Sequence, residues 1–121
     1  MPVKKILVID DSPTERFFLS ELLGKKGYTV LTAENGGEGI AKAREELPDL
    51  LIVDVVMPGL NGYQATRILT RDEKTKHIPV ILCTTKGQET DKIWGMRQGA
   101  IDYLVKPVNT EHLLQRIAEI S

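Results

Sequence analysis

The sequence predicts a single α/β domain built on a doubly wound parallel sheet of five strands, with helices on both faces. Two observations favour this fold. Five short apolar runs, each too brief for a helix, alternate with segments in which apolar residues recur at helical spacing, and glycine or proline lies at most of the boundaries. Strands that alternate with helices require right-handed crossovers, which produce a parallel sheet covered on both sides.

The first half of the chain contains three of the predicted strands, at 6–9, 29–33 and 50–53. Each is rich in apolar and β-branched residues, as expected of a strand that is largely buried. Two sets of residues at helical spacing lie between these strands: Phe18, Leu19, Leu22 and Leu23, followed by Ile40, Ala43 and Leu47. Glycines at 24 and 27 and a proline at 48 mark where these helices are expected to end.

The second half continues the alternation, with predicted strands at 80–83 and 103–105. The segment at 89–98 between them is only weakly amphipathic. Two clearer helical sets precede and follow these strands: Ala65, Ile68 and Leu69, then Leu113, Leu114, Ile117 and Ala118. The chain therefore contains five strand–helix units, which we assign to one domain over 1–121.

Composition excludes several classes of function. The 121 residues include 16 Lys and Arg against 17 Asp and Glu, for a formal net charge of −1. Without a basic cluster we expect no nucleic-acid partner, and from the length we expect no DNA-binding output domain. The one cysteine, Cys83, lies in an apolar strand and is expected to be a small buried side chain. No apolar run approaches the roughly 20 residues of a membrane span. We expect a cytoplasmic protein that does not insert into membranes.

Polar side chains follow four of the five predicted strands. Asp10 and Asp11 follow the first strand, Asp54 the third, Thr84 the fourth and Lys106 the fifth. The carboxyl ends of parallel strands meet at one edge of a sheet, here called the carboxyl edge, where ligands bind in open α/β folds. Three carboxylates, a hydroxyl and an ammonium are therefore expected to converge there.

Such a cluster needs a cation. Two carboxylates about 4 Å apart repel by roughly 4 kcal/mol at an effective dielectric constant near 20. Mg²⁺ prefers oxygen ligands and keeps several waters, which suits an open edge that supplies few protein ligands. Lys106 would add a point charge for a phosphoryl oxygen. The residues thus predict a Mg²⁺ site beside a phosphoryl-transfer centre with Asp54 as the nucleophile.

The motifs around these residues resemble the CheY-like receiver domain of two-component response regulators. They are Asp10-Asp11-Ser12, the nine residues at 54–62, Thr84, and Tyr103-Leu104-Val105-Lys106-Pro107. The resemblance covers the whole chain and implies a flavodoxin-like sheet with strand order 2-1-3-4-5. The segments at 11–15, 64–67 and 84–92 further resemble stand-alone PilH-type receivers of twitching-motility chemosensory systems.

The resemblance implies a phosphoacceptor function. Asp54 would accept a phosphoryl group from a histidine kinase, for which a CheA-like kinase is one candidate. Asp10, Asp11 and Asp54 would hold Mg²⁺ together with the backbone carbonyl of Val56. The protein would transmit a signal to a downstream protein target that the sequence does not identify, rather than act as a metabolic enzyme.

The resemblance also implies a switch. Thr84 and Lys106 would contact the phosphoryl group, and Tyr103 would turn inward as Thr84 moves toward that group. The peptide bond between Lys106 and Pro107 would be cis, a form whose free-energy cost is small only before proline.

Three positions depart from the best-known receiver pattern: Val56, Thr85 and Lys86. Neither Val56 nor Lys86 offers an amide or carboxylate that could orient a water molecule, so we expect self-dephosphorylation to be slow. The bulk of Thr85 would narrow access to the phosphoryl group.

Two alternative functions stay open. One is a phosphorylation-independent adaptor that keeps the receiver fold. The other is an aspartyl-phosphate phosphatase or mutase, but those enzymes place the nucleophile first in an Asp-x-Asp motif after strand one. Here the corresponding segment is Asp10-Asp11-Ser12, and the chain has no insertion long enough for a substrate cap.

Individual residues also have structural alternatives. Asp11 or Ser12 before Pro13 fits a helix N-cap. Trp94 fits either the core or a partner surface.

Overall fold

Five parallel strands form the centre of the molecule. The computed structural model describes residues 2–121, so residue 1 of the predicted domain lies outside the described residues. The strands are β1 (Lys5–Ile9), β2 (Thr29–Ala33), β3 (Leu50–Val53), β4 (Val80–Thr84) and β5 (Asp102–Val105). They pair in parallel in the order β2-β1-β3-β4-β5. The predicted fold class and strand order are confirmed, and each predicted strand agrees with the observed one to within one residue at either end.

Five helices alternate with the strands. They are α1 (Pro13–Lys25), α2 (Gly36–Glu46), α3 (Gly62–Arg71), α4 (Glu89–Arg97) and α5 (Thr110–Ile120). Alternate residues of each strand face opposite sides of the sheet. The side chains on one side pack with those of α1 and α5, and the side chains on the other pack with those of α2 and α3. Gly95 of α4 faces Leu82 and Tyr103 on this second side. The sheet is therefore covered on both faces.

Side-chain caps begin four of the helices next to the carboxyl edge. Ser12 accepts a hydrogen bond from the backbone N–H of Glu15, so Ser12 rather than Asp11 caps α1. Asn35, Asn61 and Asn109 cap α2, α3 and α5 in the same way. Each cap satisfies a backbone donor that a helix start leaves unpaired. Four of the five helices that follow the strands therefore begin at a side-chain cap.

Four apolar residues placed on helical faces by the sequence pattern are exposed instead. Phe18, Ile68 and Ala118 point to solvent, while their neighbours Leu19, Leu69 and Ile117 are buried. Only a narrow stripe of each helix faces the sheet, so the second member of an adjacent apolar pair falls outside it. Leu47 is exposed because α2 has already ended at Glu46.

Cys83 is buried in β4, as predicted, and is a free thiol. Burial raises its pKa to about 12, so the thiol is protonated at neutral pH. A thiolate is the reactive form of cysteine, so this side chain contributes to packing rather than to redox chemistry. Within residues 2–121, every helix is too short or too polar to cross a membrane.

Gly62 allows α3 to begin against the segment that follows β3. Its N–H donates to the carbonyl oxygen of Val55 at 2.9 Å. A Cβ atom at this position would overlap the carbonyl oxygen of Asp54 and lie 2.7 Å from the Cα of Val55. The start of α3 is therefore held directly against the backbone of Asp54.

Replacing Gly62 with alanine is expected to destabilise the protein by about 1–3 kcal/mol, because the new methyl group overlaps backbone atoms at the end of β3. Gly24 in α1 is a matched control, since the space around an added Cβ there is open. Gly24→Ala should stabilise the protein by about 0.4–1 kcal/mol through the unfolded state. Denaturant unfolding measures both free energies, and equal effects of the two substitutions would contradict the close approach.

Candidate functional site

Backbone hydrogen bonds continue past the strand ends and position the candidate residues. The N–H of Asp10 donates to the carbonyl of Ala33 at 3.1 Å, and that of Asp54 donates to Ile9 at 2.9 Å. The N–H of Lys106 donates to the carbonyl of Thr84 at 2.8 Å. The residues that follow the strands are thus extensions of the sheet, and their side chains emerge at the carboxyl edge.

Three carboxylates meet at this edge, as the sequence predicts. One oxygen from each of Asp10, Asp11 and Asp54 lies within 4.8 Å of the other two. Asp10 and Asp54 are buried and Asp11 is exposed. The ammonium of Lys106 donates to Asp10 Oδ2 at 2.8 Å and lies 3.7 Å from Asp54 Oδ2. Three negative charges and one positive charge therefore share one small site.

Asp10 is the most firmly held member of this cluster. Its Oδ1 accepts the backbone N–H of Ser12 at 2.9 Å, while its Oδ2 accepts Lys106. The guanidinium of Arg16 donates to the backbone carbonyl of Asp10 at 2.7 Å. These contacts orient the Asp10 carboxylate toward Lys106 and Asp54, so its geometry is largely preorganised.

Burial and neighbouring charges change the acidity of the site. Burial raises the pKa of Asp54, and the negative charge of Asp10 adds to this increase, while Lys106 opposes it. For Lys106, burial alone would lower the pKa. The hydrogen bond and negative charge of Asp10, with the charges of Asp54 and Glu15, outweigh that effect and raise the Lys106 pKa. Lys106 is therefore a permanent cation beside a carboxylate that is more basic than usual.

The donor set fits a hard divalent cation. Carboxylate oxygens are the ligands that Mg²⁺ prefers, and the three side chains with Lys106 leave a formal charge of −2 that one such ion would balance. The backbone N–H of Val56 donates weakly to Asp54 Oδ1 at 3.4 Å, so the Val56 backbone lies beside this carboxylate. Its carbonyl as a fourth ligand stays a prediction.

The backbone of Lys86 connects the two predicted switch residues. Thr84 is buried at the end of β4, and its Oγ1 accepts the N–H of Lys86 at 3.2 Å. The hydroxyl of Tyr103 donates to the carbonyl oxygen of Lys86 at 2.6 Å. Tyr103 is only 5% exposed, so its ring already lies inward in this structure. The turn implied by the resemblance would therefore change how often the ring holds this position.

The remaining predicted positions lie around the site. The peptide bond between Lys106 and Pro107 is cis. Val56 is 52% exposed next to a pocket of about 310 Å³ that Tyr63 and Lys86 also line. Trp94 is 49% exposed on α4, so it is a surface residue rather than part of the core.

Two residues near the site were missed by the sequence interpretation. Glu15 lies one turn into α1, and its carboxylate is 4.0 Å from the Lys106 ammonium. The spacing of Ser12 and Glu15 is that of a capping box and could have indicated a side chain folded back toward the loop. The other residue is Tyr63, whose hydroxyl is 3.4 Å from that of Tyr103. No local pattern marks this pair, which is 40 positions apart.

The chain is similar to known proteins over nearly its whole length. A family model described as response regulator receiver domain matches residues 6–118. Protein PilH of Pseudomonas aeruginosa is 62% identical over 113 residues, which cover 93% of each chain. The solved chemotaxis protein CheY4 of Vibrio cholerae is 34% identical with a TM-score of 0.91, covering 98% of this chain and 99% of that one.

A longer relative matches in part. The phosphate regulon transcriptional regulatory protein PhoB of Pseudomonas aeruginosa is 38% identical over 97% of this chain. That match covers 51% of PhoB, so the chain spans about half the length of this relative.

The raised pKa of Asp54 leads to a pH-dependent prediction. Its carboxylate costs stability at neutral pH, and this cost disappears as the pH falls and Asp54 is protonated. Asp54→Asn should therefore stabilise the protein at pH 7 by on the order of 1–3 kcal/mol, the range for relieving an incompletely paired buried group. The gain should shrink as the pH falls toward the ordinary value of 3.8.

Asp49 supplies a control of opposite sign. Its Oδ2 accepts the N–H groups of Lys5 and Lys4 at 2.9 Å each, and these bonds lower its pKa. Its carboxylate therefore stabilises the fold above pH 4, and that stability is lost as the pH falls. Asp49→Asn should destabilise the protein at pH 7 and have little effect at low pH. Urea unfolding at several pH values tests both variants, and a loss of stability in Asp54→Asn at pH 7 would contradict the account.

Proposed function

This chain belongs to the response regulator receiver domain family, and on that premise we propose that it is a phosphoacceptor signalling switch of a two-component phosphorelay. Asp54 receives the phosphoryl group from a histidine kinase. The observation that carries the proposal is the placement of Asp54 in an acidic cluster with the Lys106 ammonium 3.7 Å away. This is a nucleophile, a set of metal-binding oxygens and a fixed cation within one small site.

The chemistry needs mainly positioning and charge balance. A carboxylate oxygen of Asp54 attacks the phosphorus of a phosphohistidine, and a P–O bond forms as the P–N bond breaks. The imidazole leaves with the bonding electron pair as a neutral ring, because its other nitrogen already carries a proton. Lys106 and the Thr84 hydroxyl bind the phosphoryl oxygens. Mg²⁺, held by Asp10, Asp11, Asp54 and the Val56 carbonyl, would balance the negative charge of the carboxylates and the phosphoryl group.

Transmission of the signal uses Thr84, Lys86 and Tyr103. A new hydrogen bond from Thr84 to a phosphoryl oxygen would be charge-assisted and contribute roughly 1.5–3 kcal/mol. Complete reversal of a two-state equilibrium, from 1:99 to 99:1, requires about 5.5 kcal/mol, so Thr84 and Lys106 together could supply most of it. The responding surface includes Trp94 on α4 and Val105 at the end of β5, both exposed apolar side chains.

Similarity to protein PilH supports a role in type IV pilus or chemotaxis-like control, with a CheA-like kinase as donor and a cytoplasmic location. The downstream target is a protein that binds the surface around α4 and β5. No nucleic-acid partner is proposed.

The inward position of Tyr103 favours a second candidate, a receiver-fold adaptor that binds its partner without phosphorylation. The phosphatase alternative has no comparable support, because the chain matches a receiver family over nearly its whole length.

Slow self-dephosphorylation remains a prediction. Apolar Val56 lies beside Asp54, and the Lys86 ammonium forms an ion pair with Asp91 at 3.7 Å.

Phosphotransfer to Asp54 tests the proposal. In the presence of Mg²⁺, at least one of a panel of phosphorylated histidine kinases should label the wild-type protein. Asp54→Asn should reduce labelling by roughly 100-fold or more, because the nucleophile is lost. Asp49→Asn is the control, since Asp49 is an exposed acidic residue at the opposite end of β3, and it should be labelled normally. Labelling of Asp54→Asn at the wild-type rate would rule out Asp54 as the acceptor. If no kinase labels the wild type, the adaptor is favoured.

Metal binding is tested separately. Addition of Mg²⁺ should shift the NMR signals of the Asp10, Asp11 and Val56 amides, and removal with a chelator should reverse the change. Asp11→Ala should weaken binding by about tenfold or more, because it removes an exposed ligand whose loss the buried pair cannot replace. Glu73→Ala, which removes an exposed carboxylate outside the cluster, is the control. An absence of Mg²⁺-dependent shifts at these three amides in the wild type would contradict the site.

A further inference from the structure

Tyr63 occupies a position between the Tyr103 ring and the first turn of α4. It is the second residue of α3 and is buried. Its hydroxyl lies 3.1 Å from the carbonyl oxygen of Asp91 in α4 and 3.4 Å from the hydroxyl of Tyr103. One side chain of α3 therefore contacts both the predicted switch residue and the helix that the switch is expected to influence.

The number of available protons determines the direction of these hydrogen bonds. A tyrosine hydroxyl has one proton to donate. Tyr103 donates its proton to the carbonyl of Lys86 at 2.6 Å, so it can only accept from Tyr63. The Tyr63 hydroxyl has one proton and two possible acceptors, the Tyr103 oxygen and the Asp91 carbonyl, and its contact with Asp91 is the shorter one. Without Tyr63, the oxygen of Tyr103 would lose its neighbouring donor.

Gly95 provides the space that the inward Tyr103 ring fills. A Cβ atom at Gly95 would lie 2.9 Å from Tyr103 Cδ2 and 2.8 Å from Leu82 Cδ1. Real Cβ atoms do not come this close to other carbon atoms, so a side chain at Gly95 would displace the ring or move α4. The ring is thus bounded by α4 at its edge and by Tyr63 at its hydroxyl.

Tyr63 is also fixed relative to Asp54 by a route that does not include Thr84. Gly62 directly precedes Tyr63, donates to the carbonyl of Val55, and lies so close to Asp54 that no side chain fits between them. A displacement of the backbone after Asp54 would therefore move the start of α3. The hydroxyl of Tyr63 would carry that movement to Tyr103 and to α4.

We propose that Tyr63 is a positioning residue for Tyr103, whose hydroxyl, with the space left by Gly95, holds the aromatic ring inward and joins the backbone after Asp54 to the first turn of α4. That this ring position controls partner binding rests on the proposed phosphoacceptor function. The inward position of the ring that Tyr63 stabilises does not depend on that function.

Tyr63→Phe tests the hold directly, because it removes only the hydroxyl. Loss of one hydrogen bond should raise the ratio of outward to inward Tyr103 rings about fivefold. The ring signals of Tyr103 in aromatic NMR spectra measure this ratio without any added ligand. Tyr28→Phe is the matched control, since Tyr28 packs on the opposite side of the sheet. Tyr103 ring signals in Tyr63→Phe identical to those in Tyr28→Phe would overturn the proposal.

Gly95→Ala tests the space argument independently. The added methyl group should shift the Tyr103 ring outward or move α4, whereas Gly24→Ala, also in a helix but with open space around it, should change neither. Tyr103 ring signals and α4 amide signals that are both unchanged in Gly95→Ala would overturn the role of Gly95.

A third arm separates this proposal from the phosphoacceptor function. Fluoroberyllate with Mg²⁺ mimics the phosphoryl group, and a response of the wild-type Trp94 amide would support the switch. If wild type does not respond but Tyr63→Phe moves the ring in the ligand-free protein, the switch fails and the role of Tyr63 stands. If wild type responds and Tyr63→Phe leaves the ring in place, the role of Tyr63 fails and the switch stands.

Discussion

The sharing of one ammonium by several carboxylates is the interaction on which the rest of the site depends. Lys106 contacts Asp10 at 2.8 Å and Asp54 at 3.7 Å, in a place where both carboxylates are buried. The carboxylate oxygens of the cluster lie within 4.8 Å of one another, and like charges this close repel strongly unless a cation lies between them. Lys106 offsets only part of that repulsion, since the pKa of Asp54 is still raised. A divalent cation bound by the three carboxylates would complete the charge balance that Lys106 begins.

The parallel sheet explains how these groups come together. Backbone hydrogen bonds extend one residue past β1, β3 and β5, so Asp10, Asp54 and Lys106 are positioned as if they were strand residues. Helix caps at Ser12, Asn61 and Asn109 then fix where the following helices begin, so the loops that carry these side chains are held at both ends.

The sequence predicts the sheet and the residues at its carboxyl edge better than it predicts individual side-chain contacts. Continuous apolar runs bounded by glycine and proline mark the strands, and parallel strands must present their carboxyl ends together, so the convergence of Asp10, Asp54 and Lys106 could be predicted. The preference of Lys106 for Asp10 over Asp54 depends on side-chain conformation and burial, which no local pattern encodes. The exposure of Phe18 depends on which narrow stripe of α1 meets the sheet. The contact of Tyr63 with Tyr103 arises only when α3 and α4 pack beside β4 and β5.

A crystal structure of the protein with Mg²⁺ and fluoroberyllate would show whether Asp54 is the phosphoacceptor. We expect fluoroberyllate bonded to a carboxylate oxygen of Asp54, with the Lys106 ammonium moved from Asp10 to within about 3 Å of a fluorine atom. We also expect the Thr84 hydroxyl in contact with the same group. Fluoroberyllate bound away from Asp54, or Lys106 still paired with Asp10 alone, would contradict the account.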